Sequence, residues 1–296
     1  MKCKICGSEH VTVSYTGPIR NGGLGKYTNG DVTIWKCNEC DTMWHDPMIE
    51  TTNYYESTEY RLSLEGTSNP DEFYTLHDKE SKWKFDITGT TIFRNKNVMD
   101  IGCGAGGYLD YLKGIASCVY AIEPSAVYRE EMTKKGIITY PYAIDALGDG
   151  LVDKIDVIVS FDVIEHVNDP IKFLEEAYNL LSVGGTAIIG TPTDAPIMRE
   201  LLGVDYEMKL LFSTQHLWIF GKKNLQLMAK KIGCISSDVR FYQRYGVGNF
   251  IGWIKEKRPQ CDVKSKWITK GLDGAWKGYL EDIEMADYIV LYMKKE

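Results

Sequence analysis

The sequence has no run of about 18 apolar residues, which excludes an ordinary membrane-spanning helix. No apolar core follows Met1 and Lys2, so a secretory signal peptide is not expected. Internal repeats and low-complexity tracts are also missing. Hydrophobic residues make up 44% and charged residues 25% of the 296 positions, which is typical of a globular protein. We therefore expect a cytoplasmic protein, in which the eight cysteines are metal ligands or core residues rather than disulfides.

Positive charge is scarce over most of the chain. Residues 1–221 contain 19 Lys and Arg against 32 Asp and Glu, whereas residues 222–296 contain 15 against 9. An acidic body repels a polyphosphate strand, which argues against general nucleic-acid binding. The basic C-terminal quarter is better suited to a smaller anion.

Three zones follow one another along the chain. Residues 1–50 hold four cysteines and many turn formers, and residues 51–96 form a connector that ends in a predicted helix. Strands and helices alternate from residue 97 to residue 296, interrupted by insertions at 191–221 and 241–287. This alternation predicts an α/β fold with a doubly wound parallel sheet and helices on both faces.

The cysteines of the first zone occur as two C-x-x-C pairs. These pairs are Cys3 with Cys6, and Cys37 with Cys40. Two such turns can complete a tetrahedron around zinc, and four protein ligands leave no open position for catalysis. We expect a structural zinc site in a zinc-ribbon-like module. The alternative is four ordinary buried cysteines.

A glycine-rich turn lies between a predicted strand and a predicted helix. It contains Asp100, Gly102, Gly104 and Gly106, and Glu123 ends the next predicted strand. Glycines let a backbone approach a ligand closely, and an acid after the second strand can accept hydrogen bonds from ribose hydroxyls. The pattern therefore predicts an adenosine-type ligand. The alternative is a tight turn beside a solvated glutamate.

The D-x-G-x-G-x-G spacing differs from the G-x-G-x-x-G of most dinucleotide sites. It resembles motif I of class I S-adenosylmethionine (SAM) methyltransferases. The resemblance continues through 161–167, which match a D-x-x-E-H-V strand end, and 180–185, where Val183 replaces the usual proline. It implies a Rossmann-like fold, SAM as cofactor, Asp145 near the adenine amine, and Phe161 and Asp162 in the cofactor site.

His166 follows the strand that would end beside the methyl donor. An imidazole titrates near neutral pH and could accept a proton from a hydroxyl group. The alternative is a histidine that only shapes the pocket. A third possibility comes from similar ubiquinone-biosynthesis O-methyltransferases, in which residues like Asp162, Glu165 and His166 hold a divalent cation.

His216 is a second candidate base, because the family often has a similar histidine just before the corresponding helix. The alternative is that His216 lies at the start of the helix and is hydrogen-bonded to the backbone.

Four residues of the connector either cover the cofactor or belong to the core. They are Tyr54, Tyr55, Tyr60 and Arg61.

A mixed aromatic and polar segment follows residue 241. Arg can bind a phosphate with two hydrogen bonds and aromatic rings can stack on a sugar or base. The segment therefore predicts substrate contacts, and its solvated, lysine-rich surroundings are the alternative. The candidate residues are Tyr242, Arg244, Tyr245 and Asn249.

The order of zinc pairs, tyrosine-rich connector and SAM fold resembles bacterial methyltransferases of surface-polysaccharide biosynthesis. That resemblance implies methylation of a hydroxyl group, or next an amine, on a sugar or sugar nucleotide. The alternative acceptors are RNA and a phenolic or quinone small molecule. RNA is disfavoured by the charge of the first 60 residues, which contain 5 basic against 8 acidic side chains. A further alternative is a protein that only senses SAM.

Overall fold

The computed structural model describes residues 1–48, 52–57, 60, 62, 66, 69–259 and 261–296. Arg61, a candidate either for covering the cofactor or for the core, lies outside these residues. The chain divides into two compact units. The first joins Met1–Ile49, Thr191–Leu227 and Val239–Val290, and the second joins Glu50–Gly190, Met228–Asp238 and Leu291–Glu296. The domain boundaries drawn from the sequence stay predictions.

The first unit contains a four-stranded sheet of order β1-β2-β3-β9. The strand β9 comes from far along the chain and pairs antiparallel with β3, with Met43 opposite Ile219 and Trp44 opposite Trp218. The strands are β1 (Val11–Gly17), β2 (Val32–Cys37), β3 (Met43–His45) and β9 (Trp218–Ile219).

One hydrophobic core in this unit draws on all three stretches of chain. Ile19, Ile34 and Met43 from the N-terminal stretch pack with Phe212 and Trp253 from the later ones. The helices of the unit are α7 (Pro196–Leu202), α8 (Val204–Tyr206), α10 (Val247–Glu256) and α11 (Lys270–Asp282), with a π-helical turn at Glu207–Leu211.

The other sheet has seven strands in the order β10-β11-β8-β7-β4-β5-β6 and carries the strands of the second unit. The strands β5 and β7 flank β4 and run parallel to it. The strands are β4 (Asn97–Ile101), β5 (Cys118–Ile122), β6 (Ile138–Tyr140), β7 (Ile155–Phe161), β8 (Leu181–Pro192), β10 (Ser236–Tyr242) and β11 (Tyr288–Lys294).

The remaining helices are α1 (Thr52–Glu56), α2 (Pro70–Thr88), α3 (Gly107–Leu112), α4 (Ala126–Lys134), α5 (Ala143–Gly148), α6 (Pro170–Leu180) and α9 (Lys222–Lys231).

Local sequence explains where the long helices begin. The side chains of Asn69 and Asp169 accept hydrogen bonds from the first turns of α2 and α6, and a proline follows each of them. Such caps satisfy backbone N–H groups that have no partner within the helix.

The alternation of strands and helices confirms the predicted Rossmann-like fold. After β4 the chain adds β5 and β6 on one side of it and then crosses to add β7 on the other side. The carboxyl end of β4 is therefore the topological switch point, where ligands bind in such sheets. In the described part of the chain, no helix combines the length and apolar character that crossing a bilayer requires.

Candidate active site

The glycine turn begins directly after β4 and leads into α3. Gly102, Gly104 and Gly106 have φ angles of 78°, 56° and 82°, in the left-handed region that favours glycine. A Cβ atom at Gly102 would lie 2.3 Å from Cγ2 of Val163. A side chain at position 102 is therefore excluded both by backbone conformation and by space.

Glu123 follows β5 and holds the glycine turn in place. Its Oε2 accepts a hydrogen bond from the Gly104 N–H at 2.9 Å, and its Oε1 accepts one from the Ser125 N–H at 2.9 Å. Both hydrogen bonds tie Glu123 to main-chain N–H groups at the carboxyl ends of β4 and β5. The predicted contact of Glu123 with a ribose stays a prediction.

Asp100 is the buried acid of the turn. Its side chain is 2% exposed, and Oδ2 has no hydrogen-bond partner in the part of the chain that the structure describes. Burial raises the pKa of Asp100 to about 6, although the positive charge of Lys84 opposes the shift. Buried acceptors are rarely left without a donor, so this oxygen marks a place for a donor from outside the protein.

Lys84 is a site residue that the sequence analysis missed. Its Nζ lies 5.5 Å from the ring centroid of Phe161 and 5.9 Å from that of Tyr108. Within the described residues its Nζ makes no hydrogen bond or ion pair. The only sequence signal was its place between Trp83 and Phe85 on the helix α2.

The other residues predicted to bind the cofactor lie at the ends of neighbouring elements. Phe161 ends β7 and is buried, and Asp162 follows it with a φ of 58°. Asp145 is exposed in the first turn of α5, where its Oδ2 accepts a hydrogen bond from the Tyr142 N–H at 3.1 Å. Contacts of these three residues with a cofactor stay predictions.

His166 is held by a connector residue. Its Nδ1 lies 3.0 Å from the hydroxyl of Tyr55, and its Nε2 lies 3.8 Å from Oε1 of Glu165. The rings of Tyr54, Tyr55 and Tyr60 contact one another edge to face, with centroids 4.7–5.4 Å apart. The roles of His166 as a base, or with Asp162 and Glu165 as a cation ligand, stay predictions.

His216, the second candidate base, belongs to the first unit, whereas His166 belongs to the second. It is half-buried and lies two residues before β9. Burial lowers the pKa of the neighbouring His45, and the main chain of His216 opposes that shift.

The four predicted substrate residues surround the end of β10. Arg244 is paired with Asp287: its main-chain N–H donates to Oδ1 at 3.0 Å, and its Nε lies 3.3 Å from the same oxygen. Its guanidinium also lies 4.5 Å from the ring centroid of Tyr288. Tyr242 is half-buried at the strand end, Tyr245 is 49% exposed, and Asn249 lies in α10. Their contact with an acceptor stays a prediction.

The four N-terminal cysteines converge. Sγ of Cys3 lies 3.6 Å from Sγ of Cys40, Sγ of Cys6 lies 3.4 Å from Sγ of Cys37, and all four lie within 4.8 Å of one another. Each pair is followed by a left-handed residue, Gly7 or Asp41, whose N–H donates to the carbonyl of the first cysteine of the pair.

These distances suit a tetrahedral metal. Zn–S bonds of about 2.3 Å place thiolate sulfurs about 3.8 Å apart, close to the separations observed. Asn224 also ties the site to the start of α9, because its Nδ2 donates to the carbonyl of Cys40 at 3.1 Å.

A family model described as "Methyltransferase domain" matches residues 80–235, which is more than half of the chain. The chain belongs to this methyltransferase family. The match includes the end of α2, the glycine turn and α9.

Several curated proteins named ubiquinone biosynthesis O-methyltransferase are similar to this methyltransferase domain. The ubiquinone biosynthesis O-methyltransferase of Pseudomonas fluorescens is 26% identical over 148 residues, which cover 47% of this chain and 64% of that protein. The protein of the same name from Neisseria meningitidis is 23% identical over 181 residues, which cover 57% of this chain and 76% of that protein. The chain thus spans less than two thirds of the length of the first of these relatives.

A crystal structure of a SAM-dependent methyltransferase from Archaeoglobus fulgidus shares the fold. Its TM-score is 0.51 at 13% identity, and the match covers 75% of this chain and 99% of that chain.

The residues at the switch point of the methyltransferase domain fit SAM. The amino-acid end of SAM carries an ammonium group, which can donate to the unpartnered Oδ2 of Asp100. The same end carries a carboxylate, for which the nearby Lys84 provides a positive charge. The glycines leave the backbone bare where the cofactor would lie.

Proposed function

We propose that this protein transfers the methyl group of SAM to a hydroxyl group of a small-molecule acceptor. The observation that carries this proposal is the pair of buried acids, Asp100 and Glu123, at the carboxyl ends of β4 and β5 beside the left-handed glycines. In a doubly wound sheet this is where a nucleoside-containing ligand is held.

A phenolic hydroxyl is the acceptor best supported by the comparisons, because the curated relatives are named ubiquinone biosynthesis O-methyltransferases. The sugar or sugar-nucleotide acceptor predicted from the sequence finds no support in them. The sugar acceptor is therefore the competing class in the experiment below. The names of these curated relatives give no support to an amine acceptor either.

The cofactor is proposed to be held at both ends. Asp100 accepts hydrogen bonds from the ammonium group of SAM, and Lys84 pairs with its carboxylate. Glu123 accepts from the ribose hydroxyls, Asp145 faces the adenine amine, and Phe161 and Asp162 lie beside the methyl donor. The backbone of Gly102, Gly104 and Gly106 allows the close approach that this arrangement requires.

SAM supplies a methyl group already activated by its positively charged sulfur. The residues of the chain therefore contribute alignment and a dry site, which together can lower a barrier by about 7–11 kcal/mol. His166 is proposed to accept the proton of the acceptor hydroxyl, and Tyr55 orients its ring through the bond to Nδ1. His216 is the second candidate for this proton transfer.

Cys3, Cys6, Cys37 and Cys40 are proposed to bind one structural zinc ion. Their thiols come within 4.8 Å of one another, and no ligand position is left for a reacting water. The zinc would stabilise the β1-β2-β3-β9 sheet rather than take part in methyl transfer.

Calorimetric titration with S-adenosylhomocysteine tests the proposal. We expect saturable binding to the zinc-loaded protein, weakened by more than tenfold in Asp100→Asn. Catechols and nucleotide sugars are then titrated into the complex and assayed for methyl transfer from SAM. Methylation of a catechol supports the phenolic acceptor, and methylation of a nucleotide sugar alone restores the sugar acceptor. Absence of S-adenosylhomocysteine binding overturns the proposed function.

A further inference from the structure

Arg20 is a buried arginine in the turn between β1 and β2 of the first unit. Its side chain is only 8% exposed, and Nε is shielded from solvent without a hydrogen-bond partner in the described residues. The guanidinium makes a single hydrogen bond within those residues, from Nη1 to the carbonyl of Gly22 at 2.7 Å. A guanidinium has five N–H donors, so most of its capacity is unused.

Within the described residues, no acid compensates this charge. Burial lowers the pKa of Arg20, and no carboxylate among those residues opposes the shift. Two other arginines of the same unit are paired: Nε of Arg199 lies 2.7 Å from Glu207, and Arg244 contacts Asp287. Burying a charge without a partner costs several kcal/mol of stability, and the described residues leave the charge of Arg20 uncompensated.

The backbone of Arg20 fixes its position. Its N–H donates to the carbonyl of Phe212 at 3.1 Å, and its carbonyl accepts from the N–H of Thr214 at 2.9 Å. The turn after it is held to the same stretch, because Thr214 Oγ1 donates to Oδ1 of Asn21 at 3.0 Å. The stretch that pairs with Arg20 therefore continues within two residues to His216, a candidate for contact with the acceptor.

We propose that Arg20 binds an anionic group, a carboxylate or a phosphate, on a small-molecule ligand. A guanidinium pairs with either group through two parallel hydrogen bonds, and such pairs are stronger than bonds between neutral groups. The ligand of Arg20 therefore carries a negative charge.

Matched small molecules that differ only in the anion test the assignment. We would measure binding of 3,4-dihydroxybenzoate against catechol, and of glucose 1-phosphate against glucose, to the full chain with S-adenosylhomocysteine present. In the wild type we expect the charged member of at least one pair to bind at least tenfold more tightly. In Arg20→Met this preference should vanish, and in Arg20→Lys part of it should remain. The pair that responds distinguishes a carboxylate from a phosphate.

Thermal stability separates a binding role from a structural one. Without ligand, Arg20→Met should be as stable as the wild type or more stable, because it removes an uncompensated buried charge. The control Arg199→Met should be destabilised, because it leaves the Glu207 carboxylate without its partner. Inorganic phosphate or 3,4-dihydroxybenzoate should raise the melting temperature of the wild type and not that of Arg20→Met.

Two results would overturn the assignment. One is equal affinity of the wild type and Arg20→Met for every charged member of these pairs. The other is a loss of stability in Arg20→Met as large as that in Arg199→Met. Both are independent of the proposed function, since S-adenosylhomocysteine binding is measured separately and the anion-dependent melting shift can be recorded without it.

Discussion

The hydroxyl of Tyr55 lies 3.0 Å from Nδ1 of His166, a residue 111 positions further along the chain. The two rings also contact each other edge to face, with centroids 5.7 Å apart. With Glu165 near Nε2, the imidazole has a fixed partner or neighbour at each nitrogen. A connector residue thus controls the orientation of the candidate base.

Replacing Tyr55 with Phe should lower kcat by about fivefold, because one orienting hydrogen bond is worth about 1 kcal/mol. The affinity for S-adenosylhomocysteine should stay unchanged. Steady-state kinetics and calorimetry measure the two effects. Tyr54→Phe, in the same ring cluster, is the control and should retain wild-type kcat. An equal loss in both variants would mean that the cluster acts only through packing.

Replacing Asp100 with Asn should stabilise the ligand-free protein at neutral pH. The folded-state pKa of about 6 exceeds the ordinary 3.8, so the ionised carboxylate destabilises the folded state, by an amount on the order of 3 kcal/mol. The gain should be full above pH 6, shrink as the pH falls towards 4, and disappear below that. Urea unfolding at pH 7.5, 5 and 4 measures it, with the exposed Asp86→Asn as control. A difference that does not vary with pH would contradict the assigned cause.

Replacing Lys84 with Met should weaken binding of S-adenosylhomocysteine by about tenfold, because a pairing charge is lost. Binding of 5′-methylthioadenosine, which lacks the amino-acid end, should not change. Lys82→Met provides a control on the same helix, since Lys82 is exposed and paired with Asp86. If Lys84→Met weakened both ligands equally, Lys84 would not recognise the carboxylate.

Replacing Cys37 with Ser should abolish stoichiometric zinc binding and lower the melting temperature, because metal binding and folding share one free energy in such sites. Elemental analysis and thermal unfolding, with and without a zinc chelator, measure both effects. Cys118→Ser, in β5 and outside the cluster, should retain one zinc per chain. Retention of the metal in Cys37→Ser would refute the four-cysteine site.

The sequence was sufficient to predict the fold of the second unit. Its elements can be recognised from short stretches of sequence. The structure has the buried strand that includes Val98–Ile101, the glycine turn and the apolar face of α6 where they were predicted. The convergence of the four cysteines followed from their spacing in the same way.

Contacts between distant residues left no such signal. The bond between Tyr55 and His166, the charge of Lys84 near Asp100, and the pairing of Arg244 with Asp287 each join residues whose separation in sequence follows no motif. Arg20 has no motif either. What distinguishes Arg20 is that its guanidinium is buried and that no acid among the described residues pairs with it, which only a folded structure can reveal.

The pairing of β3 with β9 has a consequence for the order in which the chain folds. During synthesis, Trp44 emerges long before Trp218, its partner in the sheet. Until β9 is made, one edge of β3 is unpaired. Trp44, which is only 1% exposed in the folded protein, is then not yet covered by its partner strand. Such long-range pairings form slowly and leave aggregation-prone intermediates. A metal bound early by the four cysteines would hold the nascent segment compact through that interval.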